Sequence, residues 1–257
     1  MITIVSAWYI LNSKFDKIIY KKWMNHFKEL VDNFYLVIYT NKESYYMLED
    51  FIHKNVKIII KEFDEFYGFK WEKKWIENHT KNYLLNNNSI FNTDWKLNML
   101  WSEKINFVHE SYNNNYFNTD YYIWCDIGYF REPILHKKWP NYETIKSLNK
   151  NSIYYSYVCN TNILQEYIFN ILTDKFVPYE QNSISGGFFI IHKNKIDWYK
   201  KTYYDKVESF FEKNLLIKDD QYIILHCVAN NIKDFLLLKD TNTTVNNSWF
   251  LFKKFLL

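Results

Sequence analysis

The chain predicts an α/β fold: a mostly parallel, Rossmann-like sheet flanked by helices in a single domain. Three observations lead there. Short apolar runs of strand length alternate with helical-period segments from the amino terminus onward. The 257 residues are 48% hydrophobic, enough to fill one sizeable core. Glycine is scarce, only four in all, and three of these stand beside apolar strand-like runs. Such a glycine serves a positive φ or a close approach.

Residues 2–9 read as a buried first strand, and 17–31 carry Ile18, Ile19, Trp23, Phe27, Leu30 and Val31 on a helical period. A second strand spans 34–40, a short helix 43–51 and a third strand 56–60. That β-α-β-α-β opening implies parallel strands joined by crossovers. Residues 63–92 form an aromatic-rich insertion with Gly68, Trp71, Trp75 and the run Asn86-Asn87-Asn88. It is expected at the surface, near the site or covering it, with a helix over 71–85. Asp94 reads as the N-cap of a helix over 95–111. The repeated Phe-Asn-Thr-Asp, at 91–94 and 117–120, precedes a helix once and a strand once and carries no repeat architecture.

Further strands are expected at 121–126, 152–159 and 187–192, and helices at 162–172, 196–213 and 218–228. Residues 178–183 read as a polar loop, and the apolar tail 249–257 as a packed terminal helix.

Composition narrows the chemistry. With 32 basic and 29 acidic residues, net charge +3, the chain has no clustered basic face for a duplex, so nucleic acid is not an expected partner. Three widely spaced cysteines, Cys125, Cys159 and Cys227, suit buried thiols in a reducing compartment. The first residues lack a basic, then apolar, leader, and no apolar run has membrane-spanning length. A soluble, cytoplasmic protein is the expectation. Aromatics at 21%, with abundant Lys, Asn and Ile, look like coding from an AT-rich genome; a viral source would place the protein in host cytoplasm or virion. No P-loop, dinucleotide glycine motif, nucleophile elbow or zinc spacing is present.

Three segments can carry chemistry. In Tyr122-Ile123-Trp124-Cys125-Asp126-Ile127-Gly128, an apolar strand ends in a carboxylate and a glycine. Open α/β sheets bind ligands at such strand ends. Asp126 reads equally as a ligand of a hard cation, Mg²⁺ or Mn²⁺, or as a turn cap. Ser185-Gly186-Gly187-Phe188 lets a backbone pass close to a ligand, or makes a tight turn. Asp219-Asp220-Gln221 opens a helix, where capping explains an acidic residue and general-base chemistry is the alternative. Lys96 and Lys104 lie on a helix before the Asp126 strand, within reach of a phosphate or on a solvated face. His192 and His226 read as core histidines.

The order of these segments is similar to that of the HtrL/YibB-like family, a glycosyltransferase-type family with a GT-A-type fold. The matching residues are Ile4-Val5-Ser6-Ala7-Trp8-Tyr9, Ile38-Tyr39-Thr40-Asn41, Trp101-Ser102-Glu103-Lys104, Trp124 to Arg131, Ser185 to Phe189, and Asp219-Asp220-Gln221. The resemblance spans nearly the whole chain through short motifs. It implies a nucleotide-binding half over 1–130 and an acceptor and sugar half over 131–257. It further implies transfer of a sugar from a nucleotide-diphosphate donor to a hydroxyl acceptor, assisted by Mn²⁺ or Mg²⁺.

Ser6, Ala7, Tyr9, Thr40, Asn41, Lys104, Gly128, Arg131, Ser185, Gly186, Gly187 and Gln221 would then meet substrate. Asp126 would hold the metal, and Asp219 or Asp220 would act at the anomeric carbon. Arg131 would pair with phosphate or with a structural carboxylate. The chain departs from the usual Asp-x-Asp motif, because Trp124 stands at the first aspartate. Metal binding then borrows a ligand, for which Asp240 and His226 are candidates, or is weakened or lost. A noncatalytic sugar-nucleotide or glycan-binding protein on a decayed transferase is the alternative. A nucleotidyltransferase fits less well, lacking a basic glycine-rich loop near the amino terminus.

Overall fold

The structure, a computed structural model, describes residues 1–12, 15–87, 91–180, 182–241 and 248–257. Asn88 of the asparagine run and Gln181 of the polar loop lie outside the described residues.

The opening forms as the apolar runs demand. Strands β1 (Thr3–Trp8), β2 (Tyr35–Thr40) and β3 (Val56–Ile60) pair in parallel, with Val5 opposite Val37 and Ile38 opposite Ile58. Helix α1 (Lys17–Lys28) starts at Asp16, whose carboxylate accepts from the Ile18 amide at 2.7 Å. It stops before the expected end, and Val31–Asn33 tighten into a 3₁₀ turn. Residues 45–51 are likewise a 3₁₀ turn where a short α-helix was expected.

The insertion departs from its expected placement. Its helix α2 (Glu72–Lys81) carries Trp75, which is fully buried. The amides of Tyr67 and Gly68 donate to the Glu103 carboxylate at 2.7 and 3.2 Å. A small hairpin, β4 (Asn86–Asn87) with β5 (Phe91–Asn92), follows. The helix expected over 95–111 is two helices, α3 (Lys96–Ser102) and α4 (Lys104–Asn113). The break falls at Glu103, whose carboxylate is drawn to the insertion and whose amide bonds Leu100 O in a tightened turn.

Strand β6 (Tyr121–Cys125) pairs with β1 in parallel. A short helix α5 (Tyr142–Lys146) leads to β7 (Ile153–Ser156), shorter than expected, and then α6 (Thr161–Leu172). Next come β8 (Phe188–His192), α7 (Ile196–Glu212) and α8 (Asp220–Asn230). A strand that the apolar pattern did not reveal, β9 (Phe235–Leu238), pairs parallel to β7. The chain closes with the four-residue helix α9 (Phe252–Phe255).

The sheet order is β3-β2-β1-β6-β8-β7-β9. Only β8 runs against the rest, antiparallel to both β6 and β7. Val5, Val37 and Trp124 face a core completed by α4, α6, α7 and α8. Ile4, Ile38 and Ile123 face the opposite core, closed by α1, α5 and α9. Burial on both faces explains the near-continuous apolar strands. No described helix is long and apolar enough to cross a membrane.

Candidate functional site

Because β8 is reversed, its amino-terminal end lies at the same sheet edge as the carboxyl ends of β1 and β6. The segments after β1 and β6, before β8 and at the start of α8 therefore meet around one cleft of about 420 Å³. That volume suits a small-molecule site.

Lys104 begins α4 and points into this cleft with its side chain 10% exposed. Its ammonium donates to the Gly186 carbonyl at 2.9 Å. It lies 2.8 Å from Asp220 Oδ2 and 3.2 Å from Asp126 Oδ1. The Asp220 contact is an ion pair without good hydrogen-bond alignment, since Oδ2 accepts no hydrogen bond. Burial alone would lower the Lys104 pKa, but Asp126 and Asp220 outweigh it and hold the amine protonated. The solvated-face alternative for Lys104 is thereby corrected. Lys96, by contrast, lies over the rings of Phe63 and Trp95 and does not line the cleft.

Asp126 does not cap the following turn with its side chain; Tyr129 N bonds the Asp126 carbonyl at 2.8 Å instead. Its Oδ1 accepts from Trp124 Nε1 at 2.7 Å. Its side chain is 42% exposed.

At α8 the two acidic residues divide their roles. Asp219 is the N-cap, accepting from Tyr222 N at 2.9 Å, with Lys218 Nζ 3.4 Å from Oδ2. Asp220 turns inward, 6% exposed. Burial pushes its carboxyl up to about 6; Lys104 opposes this, while Asp219 and Asp126 add to it.

A folded-state value above the ordinary 3.8 means that protonation favours the fold. That contribution is complete below about pH 4 and is lost as pH rises through about 6. Urea unfolding of wild type and Asp220→Asn should show the wild-type advantage shrinking across that window. A constant difference would refute the assignment.

The glycines serve close approach, since none has positive φ. A Cβ on Gly186 would lie 2.5 Å from Asp220 Oδ2, and one on Gly187 would lie 3.2 Å from Asp126 Oδ2. On Gly128 it would meet Trp23 at 2.8 Å and Tyr20 at 2.9 Å, the aromatic wall supplied by α1.

Ala7, Tyr9, Lys104, Asp126, Gly128, Arg131, Ser185, Gly186, Gly187, Asp219, Asp220 and Gln221 all line the cleft. The Tyr9 hydroxyl is already spent on the Lys61 carbonyl at 2.9 Å. Gln221 Oε1 is buried with no hydrogen-bond partner, leaving an acceptor available for a ligand donor. Ser6, Thr40 and Asn41 do not line the cleft. The Ser6 and Thr40 hydroxyls donate to the carbonyls of Cys125 and Trp8 at 2.7 Å, and Asn41 Oδ1 accepts from Ser44 N. The first two bonds link neighbouring strands, and the third closes a local turn after β2.

The insertion does not cover the cleft: no described residue from 63 to 87 lines it. Instead its Asn78 donates to the Ile217 carbonyl at 2.8 Å, as does Asn98 of α3, and its Asn82 donates to the Lys218 carbonyl at 2.8 Å. The insertion thus braces the approach to Asp219 from behind. Sequence reading missed the aromatic mouth of the cleft, formed in part by Phe15, Tyr20, Trp249 and Phe250. Aromatic excess was the available signal, but it did not separate these rings from the core.

For a divalent cation, Asp126 Oδ2 offers an oxygen without a hydrogen bond, while Oδ1 is engaged. His226 is no second ligand: its ring packs against Phe210 and Tyr222 at 4.9 and 5.0 Å, and burial lowers its pKa to about 4. Asp240 lies 3.8 Å from Lys254 and does not line the cleft. Among the described residues no three His, Cys, Asp or Glu converge. The set fits an ion held sparsely with substrate phosphates and water, as Mg²⁺ often is, and not a protein cage.

No family model and no curated protein matches the chain. Among solved structures, it is similar to the galactosyltransferase LgtC in complex with donor and acceptor sugar analogues, at 11% identity and TM-score 0.48, over 92% of this chain and 73% of that one. A glycosyltransferase involved in glycosylation of the major capsid of PBCV-1 aligns at 12% identity and TM-score 0.43, over 92% and 80%. A 4-diphosphocytidyl-2C-methyl-D-erythritol synthase from Anaerococcus prevotii aligns at 8% identity and TM-score 0.39, over 99% and 95%.

Proposed function

We propose that the chain is a glycosyltransferase of the HtrL/YibB-like, GT-A type, moving a sugar from a nucleotide-diphosphate donor to an acceptor hydroxyl. The observation that carries this reading is the convergence of Lys104, Asp126, Gly186 and Asp220 at one sheet edge. A carboxyl pushed up to about 6 and facing the cleft suits a base working near neutrality.

In the transfer, the acceptor oxygen bonds to the anomeric carbon and its proton passes to the Asp220 carboxylate. The bond from that carbon to the diphosphate breaks, and its electron pair leaves with the nucleoside diphosphate. Lys104 holds Asp220 in place, and Gln221 Oε1 accepts from a sugar hydroxyl. Asp126 would hold Mn²⁺ or Mg²⁺, which supplies charge stabilisation to the departing diphosphate.

Thermal unfolding against a panel of nucleotide sugars, with and without Mn²⁺, tests the reading on wild type and Asp126→Asn. A hundredfold excess over Kd adds about 2.7 kcal/mol to a protein that binds only when folded. A metal-dependent shift with one nucleotide class, lost in Asp126→Asn, is expected. A shift that ignores metal and survives the substitution removes Asp126 from its role. No shift with any donor sinks the reading. Binding without turnover would favour a decayed transferase, which the tryptophan at position 124 already suits.

A further inference from the structure

The floor of the cleft has no positive charge to spare. Lys104 answers two carboxylates, leaving one net negative charge when both are ionised. An incoming diphosphate needs its countercharge elsewhere, and the mouth supplies it.

Arg131 follows the β6 turn and lines the cleft. Its guanidinium carbon lies 4.8 Å from the ring centre of Trp23, 5.0 Å from Phe250 and 5.1 Å from Phe15. Lys253 of α9 does not itself line the cleft, but places its ammonium 4.9 Å from the same Phe250 ring, which does. Two cations thus share one ring. Among the described residues neither has a carboxylate within ion-pair distance, and no acidic residue of the sequence falls outside those described.

Burial and the neighbouring Arg131 pull the Lys253 pKa down, against an opposing pull from Glu132. Aromatic neighbours accept no conventional hydrogen bond, so they leave the guanidinium N–H donors for a ligand. Two cations this close, with Glu132 near but in ion-pair contact with neither, suit an anion bound between them.

We propose that Arg131 and Lys253 grip the diphosphate of the sugar-nucleotide donor at the mouth of the cleft. This rests on the transferase reading above. Arg131 presents a planar fork that matches phosphate oxygens in pairs, and Lys253 adds a point charge. Phe250, shared by both, sets their spacing.

Calorimetric titration with UDP, GDP, CDP and ADP, with inorganic pyrophosphate, and with the four parent nucleosides tests the proposal. It is run on wild type, Arg131→Gln, Lys253→Gln and the double variant. Each single substitution should weaken the preferred nucleoside diphosphate and pyrophosphate by about tenfold or more, leaving the parent nucleoside unchanged. Lys253→Arg should retain most of the affinity and Arg131→Lys, which keeps the charge but loses the fork, only part of it, a grading that a merely structural loss would not give. Thermal midpoints report folding.

Equal nucleotide affinity in wild type and double variant overturns the grip and leaves the transferase reading intact. Pyrophosphate binding that needs both cations, with no nucleotide or nucleotide sugar bound, upholds the anion site and removes the donor. Absence of binding by any probe overturns both.

Discussion

Lys104→Met should lower the free energy of unfolding by about 3–5 kcal/mol, the usual cost of removing one partner from a buried ionic cluster. The lysine neutralises a 6% exposed Asp220 and a half-exposed Asp126, and donates to the Gly186 carbonyl. Methionine fills much of the same space but leaves both carboxylates facing each other without a counter-ion. Asp220 would respond by taking up a proton, so the loss should be larger at pH 8 than at pH 5. Urea unfolding at the two pH values measures it. A variant as stable as wild type at pH 8 would show that the cluster is solvated in a way its geometry denies.

Gly186→Ala should damage function more than stability. The new Cβ would lie 2.5 Å from Asp220 Oδ2, 3.0 Å from Cγ and 3.1 Å from Oδ1, so the carboxylate itself must move. Asp220 has little room, being buried at the first turn of α8 and paired with Lys104. Overpacking of this kind costs about 1–3 kcal/mol. A catalytic group displaced by about an ångström loses about a hundredfold in rate. Gly187→Ala, whose Cβ would sit 3.2 Å from Asp126 Oδ2, should cost less. Gly68→Ala meets the flexible Met99 side chain at 3.3 Å and serves as a control away from the cleft. kcat/KM for sugar transfer ranks the three. Full activity in Gly186→Ala would remove Asp220 from the chemistry.

Residues whose neighbours lie close in sequence were legible. The runs forming β1, β2, β6 and β8 announce themselves because both faces of each are buried, and β3, a partly exposed edge strand, because four of its five residues are apolar. Asp219 as a cap follows from its place before an apolar helix. What stayed hidden depends on distant partners. The break between α3 and α4 exists because amides at 67 and 68 capture the Glu103 carboxylate. Lys104 looks like a solvated helix residue until β6, β8 and α8 converge on it. Strand β9 has only four apolar residues, too few to separate from a loop or a helix end. The setting of Arg131 is equally non-local, since its rings come from residue 15, α1 and the tail.

The reversed strand β8 also governs how the chain can be divided. It sits between β6 and β7 in the sheet, although β7 precedes it in sequence. Residues 1–130 alone would hold β3-β2-β1-β6 and leave β6, buried along its whole length in the intact protein, as a bare edge. A flat apolar edge of that kind templates intermolecular pairing. The two halves of this chain are thus not modules that recombination could trade. The strand that completes the cleft is also the one that covers the open edge of the first half.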